Sequence, residues 1–207
     1  MAKIYNLTVS SYFNFIDYYT NLDSRFVKVS DDTLLVDNKF SLSITWTTYT
    51  IITITVKIGD TQIYTGSNNG TTRALSIISE DFIYLRFNRF TTSYNDRYVA
   101  VAYAHDDSDN YFVGALQTSL PTNIYNIDFH HISDLTSGYY LANMINFSLP
   151  AGSIAYSSIA PLANDGGLVC YCKDLFSCST VTVDSTVSLP NRSNYYTIGT
   201  HTMVKID

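Results

Sequence analysis

One glutamate, Glu80, stands against 17 aspartates, and glutamine occurs at Gln62 and Gln117 alone. The straight-chain acids and amides that lose little rotamer freedom in a helix are nearly missing. Their place is taken by 18 Tyr and a dense supply of Thr, Ser, Ile and Val, side chains that suit a pleated, half-buried surface. The chain is therefore expected to be all-β: an antiparallel β-sandwich, jelly-roll-like, with at most short helices. With 207 residues, 46% hydrophobic content and a formal net charge of −6, it can offset its ordering entropy by burial. One domain over residues 1–207 is expected, with Pro121 the one candidate for an internal boundary.

Turn-forming residues divide the chain into short segments of strand character. Residues 25–29 and 33–36 flank Ser30-Asp31-Asp32, 40–46 alternates large and polar side chains, and 49–58 alternates Thr with Ile or Val. Gly59-Asp60 predicts a reversal into 61–65, and Gly66 to Gly70 a loop. Further strands are expected at 74–78, 82–87, 98–104, 111–117, 124–130, 139–147, 154–159 and 168–171, with a turn at Asn164-Asp165-Gly166-Gly167. A C-terminal hairpin pairs 181–189 with one return strand over 195–206, which Gly199 interrupts as a bulge or a close approach by neighbouring backbone. Helix is expected only around 13–19 and 174–177.

Several function classes conflict with this composition. A sequence pI near 5.0 argues against nucleic acid, which calls for clustered Lys and Arg. No run approaches the ~18–20 apolar residues of a membrane helix, so no membrane insertion is expected. The first eight residues lack a continuous apolar stretch, so no cleaved secretory signal is expected either. Cys170, Cys172 and Cys178 are odd in number and crowded together, which favours reduced thiols packed in a core over a disulfide framework.

The chemistry-bearing candidates are few. Asp106, Asp107, Asp109 and Asn110 sit in a polar hairpin tip, where carboxylates supply the hard oxygens that calcium takes, but the Gly and distal Glu of an EF-hand are missing. Asp128 and His130 would share one face of a strand, with His131 and Asp134 nearby, giving two metal ligands where three or four are needed. No G-x-S-x-G elbow, P-loop or H-E-x-x-H occurs, so no catalytic residue and no cofactor are expected. A pair of aspartates could in principle hydrolyse a glycoside, which keeps an Asp-based glycan hydrolase as a further alternative. The adjacent pairs Tyr18-Tyr19, Tyr139-Tyr140 and Tyr195-Tyr196 would place one ring on each face of an extended strand. Tyr unites apolar area with a hydroxyl at small entropic cost, so these rings are the interface candidates.

The closing segment, from Asp174-Leu175-Phe176-Ser177-Cys178-Ser179-Thr180-Val181 through Tyr195-Tyr196-Thr197-Ile198-Gly199-Thr200-His201-Thr202, resembles the ends of small tail or virion proteins of bacteriophages. The opening Tyr18-Tyr19-Thr20-Asn21-Leu22-Asp23-Ser24-Arg25-Phe26 has a similar character. The resemblance implies a virion location after synthesis in the bacterial cytoplasm and no catalytic residue. It implies a decoration, neck or tail role with self-association and contacts to other virion proteins. A receptor-binding module gripping bacterial surface glycan is the alternative.

Overall fold

The computed structural model describes residues 1–9, 12–48, 51–69, 73–88, 98–119, 125–141, 154–161, 167–178, 182–188 and 193–206. Pro121 and the segment 164–166 of the expected turn lie outside them. The chain is an all-β sandwich, and the described residues form two antiparallel sheets and one helix. The smaller sheet is a meander of β2 (Phe26–Lys28), β3 (Thr33–Val36), β4 (Phe40–Trp46), β5 (Ile51–Ile58) and β6 (Thr61–Asn69). The larger begins with β1 (Lys3–Thr8), then β7 (Arg73–Ile78), β8 (Phe82–Asn88), β9 (Tyr98–His105) and β10 (Tyr111–Thr118). It continues through β11 (Asp128–His131), β12 (Tyr139–Leu141), β13 (Ile154–Pro161) and β14 (Cys170–Cys178). It ends on β17 (Thr202–Lys205), β16 (Asn194–Gly199) and β15 (Thr186–Ser188), in that order.

Strands β7 to β9 are buried on both faces, and parity assigns each face a core. Ile83, Leu85 and Phe87 of β8, with Val99, Val101 and Tyr103 of β9, meet the small sheet's Leu34, Leu42, Ile54 and Val56. The alternate residues Phe82, Tyr84, Ala100, Ala102 and Ala104 meet Phe129, Ile159, Cys170, Cys172, Leu175 and Val204. The large sheet therefore curls over itself, bringing β14 against β8 and β9. The Ala2 N–H donates to the Lys205 carbonyl (2.9 Å), and the Met1 amino group pairs with Asp174 (2.8 Å). Asp81, buried in the β7–β8 turn, accepts from the Lys173 N–H of β14. The result is three layers of strand around two cores.

The helix α1 (Phe15–Leu22) starts where Asn14 accepts the Asp17 N–H at 3.0 Å, satisfying an otherwise orphaned donor. Phe15, Ile16 and Tyr19 then fall on one side and enter the first core. This is the helix expected around 13–19, running on to Leu22, and within it Tyr18 and Tyr19 are not the extended pair that the interface reading assumed: helical spacing turns both rings towards the body of the protein.

Three other expectations change. The predicted loop at 66–70 is strand as far as Asn69, because Ser67 and Asn68 are tied on both sides. Ser67 pairs with Thr53 across the hairpin, Gln117 Nε2 donates to the Ser67 carbonyl (2.7 Å), and Asn68 Nδ2 donates to the Phe87 carbonyl (3.0 Å). Residues 174–177 are strand, not helix, since β14 is paired on both sides and buries Leu175 and Phe176. At the C-terminus, 195–206 is itself a hairpin, β16 and β17, with the register shifting between Thr197 and Gly199 where a bulge was expected. Of 181–189, β15 covers Thr186–Ser188, while Asp184 sits in a turn with φ of 59°. Elsewhere, the expected strand at 124–130 is regular only over β11, and 139–147 is described only to Leu141.

Candidate functional site: a polar pocket at Arg86

The acidic tip does not gather its carboxylates. Asp106 Oδ1 accepts from the N–H groups of Ser108 (2.9 Å) and Asn110 (3.1 Å), closing the turn on itself. Asp107 pairs with Lys173 Nζ at 2.8 Å, and Asp109 accepts from the Tyr111 hydroxyl at 2.7 Å. Asp128 and His130 do share a face of β11, but Asp128 accepts the Gly138 N–H at 2.7 Å. His131 turns the other way to pack against Phe112 and meets Asp134 at 3.1 Å. Among the described residues, no group of three or more His, Cys, Asp or Glu is placed to hold a metal ion.

Hydrogen bonds from Thr136, and then His131, hold the Asp134 carboxyl down at about 2 against an ordinary 3.8. A carboxyl depressed in the folded state contributes fully above its unfolded value, and that contribution fades as pH falls through the folded one. Carbon-detected NMR titration should place the Asp134 midpoint near 2. A midpoint at the ordinary value would show that the Thr136 turn does not hold in solution.

The cysteines pack as expected. All three are free and buried. A hydrogen bond to Cys170, together with burial, raises the Cys172 thiol, and burial lifts Cys178 to about 11. Both shifts run opposite to those of an activated thiolate.

Burial divides the tyrosine pairs. Tyr19 and Tyr195 are buried inside the chain, which removes both from the interface candidates. Tyr19 accepts from Ser76 Oγ within the first core, and Tyr195 packs edge-on against Phe176 at 5.2 Å. Tyr18, Tyr139, Tyr140 and Tyr196 are half-buried. The well-exposed tyrosines among the described residues are Tyr12 and Tyr171, which pairing in sequence does not single out.

The site with the most distinctive chemistry lies elsewhere, on the inner face of the curled sheet. Register defines it row by row. Ile77 and Tyr84 form an apolar row with Ile4 of β1. One step along, Asn6, Leu75 and Arg86 are aligned, and beyond them Thr8, Arg73, Asn88 and Tyr98. The face that is core at one end is thus polar at the other. Asp184 and Tyr196 close over it, leaving a pocket of about 400 Å³.

Arg86 is the centre of this pocket. Its side chain occupies the parity of Phe82 and Tyr84 and is 4% exposed. Nη2 donates to Asp184 Oδ2 at 2.7 Å, and the Tyr98 ring lies 5.8 Å away. Burial works against the guanidinium charge, but Tyr84 and Asp184 outweigh it and raise Arg86 above its usual value. Asp184 is itself positioned by its N–H, which donates to the Thr197 carbonyl at 2.9 Å. Nε and Nη1 of Arg86 are buried and find no hydrogen-bond partner among the described residues. An unmet donor on a buried charged group costs roughly 1–3 kcal/mol or more, so Arg86 is held beside the pocket at a cost in stability. A sequence signal for it exists: Arg86 is a lone cation in a strand that is otherwise apolar on both faces through Phe87.

Compared with models of protein families, with curated proteins and with solved structures, the chain matches none.

Proposed function

We propose that the chain is a non-enzymatic structural protein of a bacteriophage particle, joined to copies of itself and to other virion proteins through its β surfaces. One observation carries this reading: the outer face of the small sheet is a hydroxyl-covered, almost uncharged surface. Thr33 bonds Ser43 (2.9 Å), Thr53 bonds Ser67 (3.1 Å) and Thr55 bonds Thr65 (3.2 Å), each pair reaching across adjacent strands. Lys57 is the single charged residue in β3 to β6. Val27 and Val29, 45% and 63% exposed, extend the face past the edge strand β2. Hydroxyls that satisfy one another lose little on leaving water, and depletion of charge is what marks the centre of an interface. The resemblance of the chain's two ends to phage tail and virion proteins supplies the setting.

The reading is tested by mass spectrometry of purified particles of the phage that encodes the chain. The chain is expected among the virion proteins. Its absence from particles, while it accumulates in infected cells, would end the proposal.

A further inference from the structure

The edges of the two sheets fall on β1, β15, β2 and β6, and they are built differently. Strands β2 and β15 are three residues long, and β2 is flanked by α1 and carries Lys28, held by Asp17 and Asp31. Strand β6 has a bulge at Ile63, where its register against Val56 and Lys57 shifts, and its Ser67 carbonyl is taken by Gln117. Short length, a guarding charge and a bulge are devices that blunt an edge against pairing with another chain. Strand β1 shows none of them: its six residues run without bulge or proline, and its one charge, Lys3, lies at the start.

Two hydrogen bonds fix which backbone groups of β1 face outwards. The Ser79 N–H donates to the Phe82 carbonyl at 2.8 Å across the β7–β8 turn, so alternation turns Ile78, Ser76 and Ala74 towards β1. Their partners Lys3, Tyr5 and Leu7 therefore direct their N–H and C=O groups at β7. Ala2, one step earlier, sends its N–H the other way, to the Lys205 carbonyl at 2.9 Å. Ile4, Asn6 and Thr8 share that outward direction, and no strand of the described residues pairs with them there. A row of backbone donors and acceptors on alternate residues is met by one chemistry, the backbone of another extended strand.

We propose that this strand is β1 of a second copy, paired antiparallel about a two-fold axis at Asn6. In that register Asn6 faces Asn6 of the second copy and Ile4 faces its Thr8, so the outward groups of all three residues are bonded on both chains. Moving the axis to Tyr5 would call on Ala2, whose N–H is already taken by Lys205. On the other face Tyr5 meets Leu7 of the second copy, an aromatic–aliphatic cross-strand pair. Residues 4–8 carry no charge and Lys3 falls opposite Val9, so no like charges meet across the axis. The inference rests on the β1 edge and is measured on the isolated chain, so it stands or falls separately from the particle role.

The test is sedimentation velocity of the purified full chain over a range of concentrations, with amide hydrogen exchange at both ends of that range. A monomer–dimer equilibrium is expected. The amides of Ile4, Asn6 and Thr8 should gain protection as the dimer fills, while those of Lys3, Tyr5 and Leu7 are protected throughout. Asn6→Pro removes an outward N–H and no bond of the β1–β7 ladder, and Asn6→Lys sets two cations against each other at the axis. Each should raise the dimer dissociation constant about tenfold or more while leaving the circular dichroism spectrum unchanged. Mixing Asn6→Lys with Asn6→Asp should restore dimers, because opposite charges then meet at the axis. A chain that stays monomeric at every concentration, a dimer indifferent to both substitutions, or a mixture that does not recover would overturn the assignment.

Discussion

Removal of residues 181–207 is expected to leave no soluble protein. The deleted stretch contains β17, which is hydrogen-bonded between β14 and β16 and is no terminal appendage. Ile198 and Val204 are fully buried in the core inside the curl, and Met203 and Tyr195 pack with Phe176 and Cys178. Truncation would bare one edge of β14 and the apolar side chains Leu175 and Phe176, an open strand of the kind that pairs with other chains. It would also break the closure between Ala2 and Lys205 and strip Asp184 from Arg86, leaving a buried cation unpaired. The expected outcome is accumulation in inclusion bodies. A soluble truncation that melts cooperatively would show instead that the hairpin is an arm, free to dock on a neighbouring subunit.

Phe87→Ala is expected to give the largest loss among single core substitutions. Phe87 is fully buried where the helix meets the middle layer, with Phe15 edge-on at 5.4 Å and Tyr19 at 6.4 Å. Its cross-strand neighbours, Ala74 and Val99, are small and held by backbone pairing, so they cannot move in to fill the space. Truncating a buried Phe to Ala commonly costs about 3–5 kcal/mol once the residual cavity is included. That is a large share of the ~5–15 kcal/mol that holds a typical domain folded. Urea unfolding should show the midpoint falling sharply with little change in slope. A loss under about 1 kcal/mol would mean that helix α1 is loosely seated and that Phe87 is not at a packed junction.

Much of the small sheet can be read directly from the chain. In β4, Phe40, Leu42 and Ile44 alternate with Ser41, Ser43 and Thr45, and the buried and outer faces follow that alternation. Strands β8 and β9 follow another rule. Their runs Phe82–Asn88 and Tyr98–His105 have little polar alternation because both faces are covered, a pattern that marks a central strand but does not say what covers it. The partners come from far away in sequence: Asp81 meets Lys173, and Arg86 meets Asp184.

The remaining differences have the same origin. Asp174 to Ser177 is held extended by pairing with β13 and β17, which local propensity cannot register. Asn68 reads as a loop residue until its amide finds the Phe87 carbonyl. The helix around 13–19 is legible in the chain, so taking Tyr18 and Tyr19 as an extended pair conflicts with the Asn14 cap and the spacing of Phe15, Ile16 and Tyr19. The Arg86 pocket requires the curl itself, since Tyr196 and Asp184 reach Arg86 only when the C-terminal strands fold back over β8.

The proposal that this β scaffold is a component of a phage particle is decided by quantitative mass spectrometry across a density gradient of purified virions. The chain should co-sediment with the major structural proteins at a fixed ratio through every particle-containing fraction. A chain abundant in infected cells but left at the top of the gradient, with intact particles free of it below, would contradict the account.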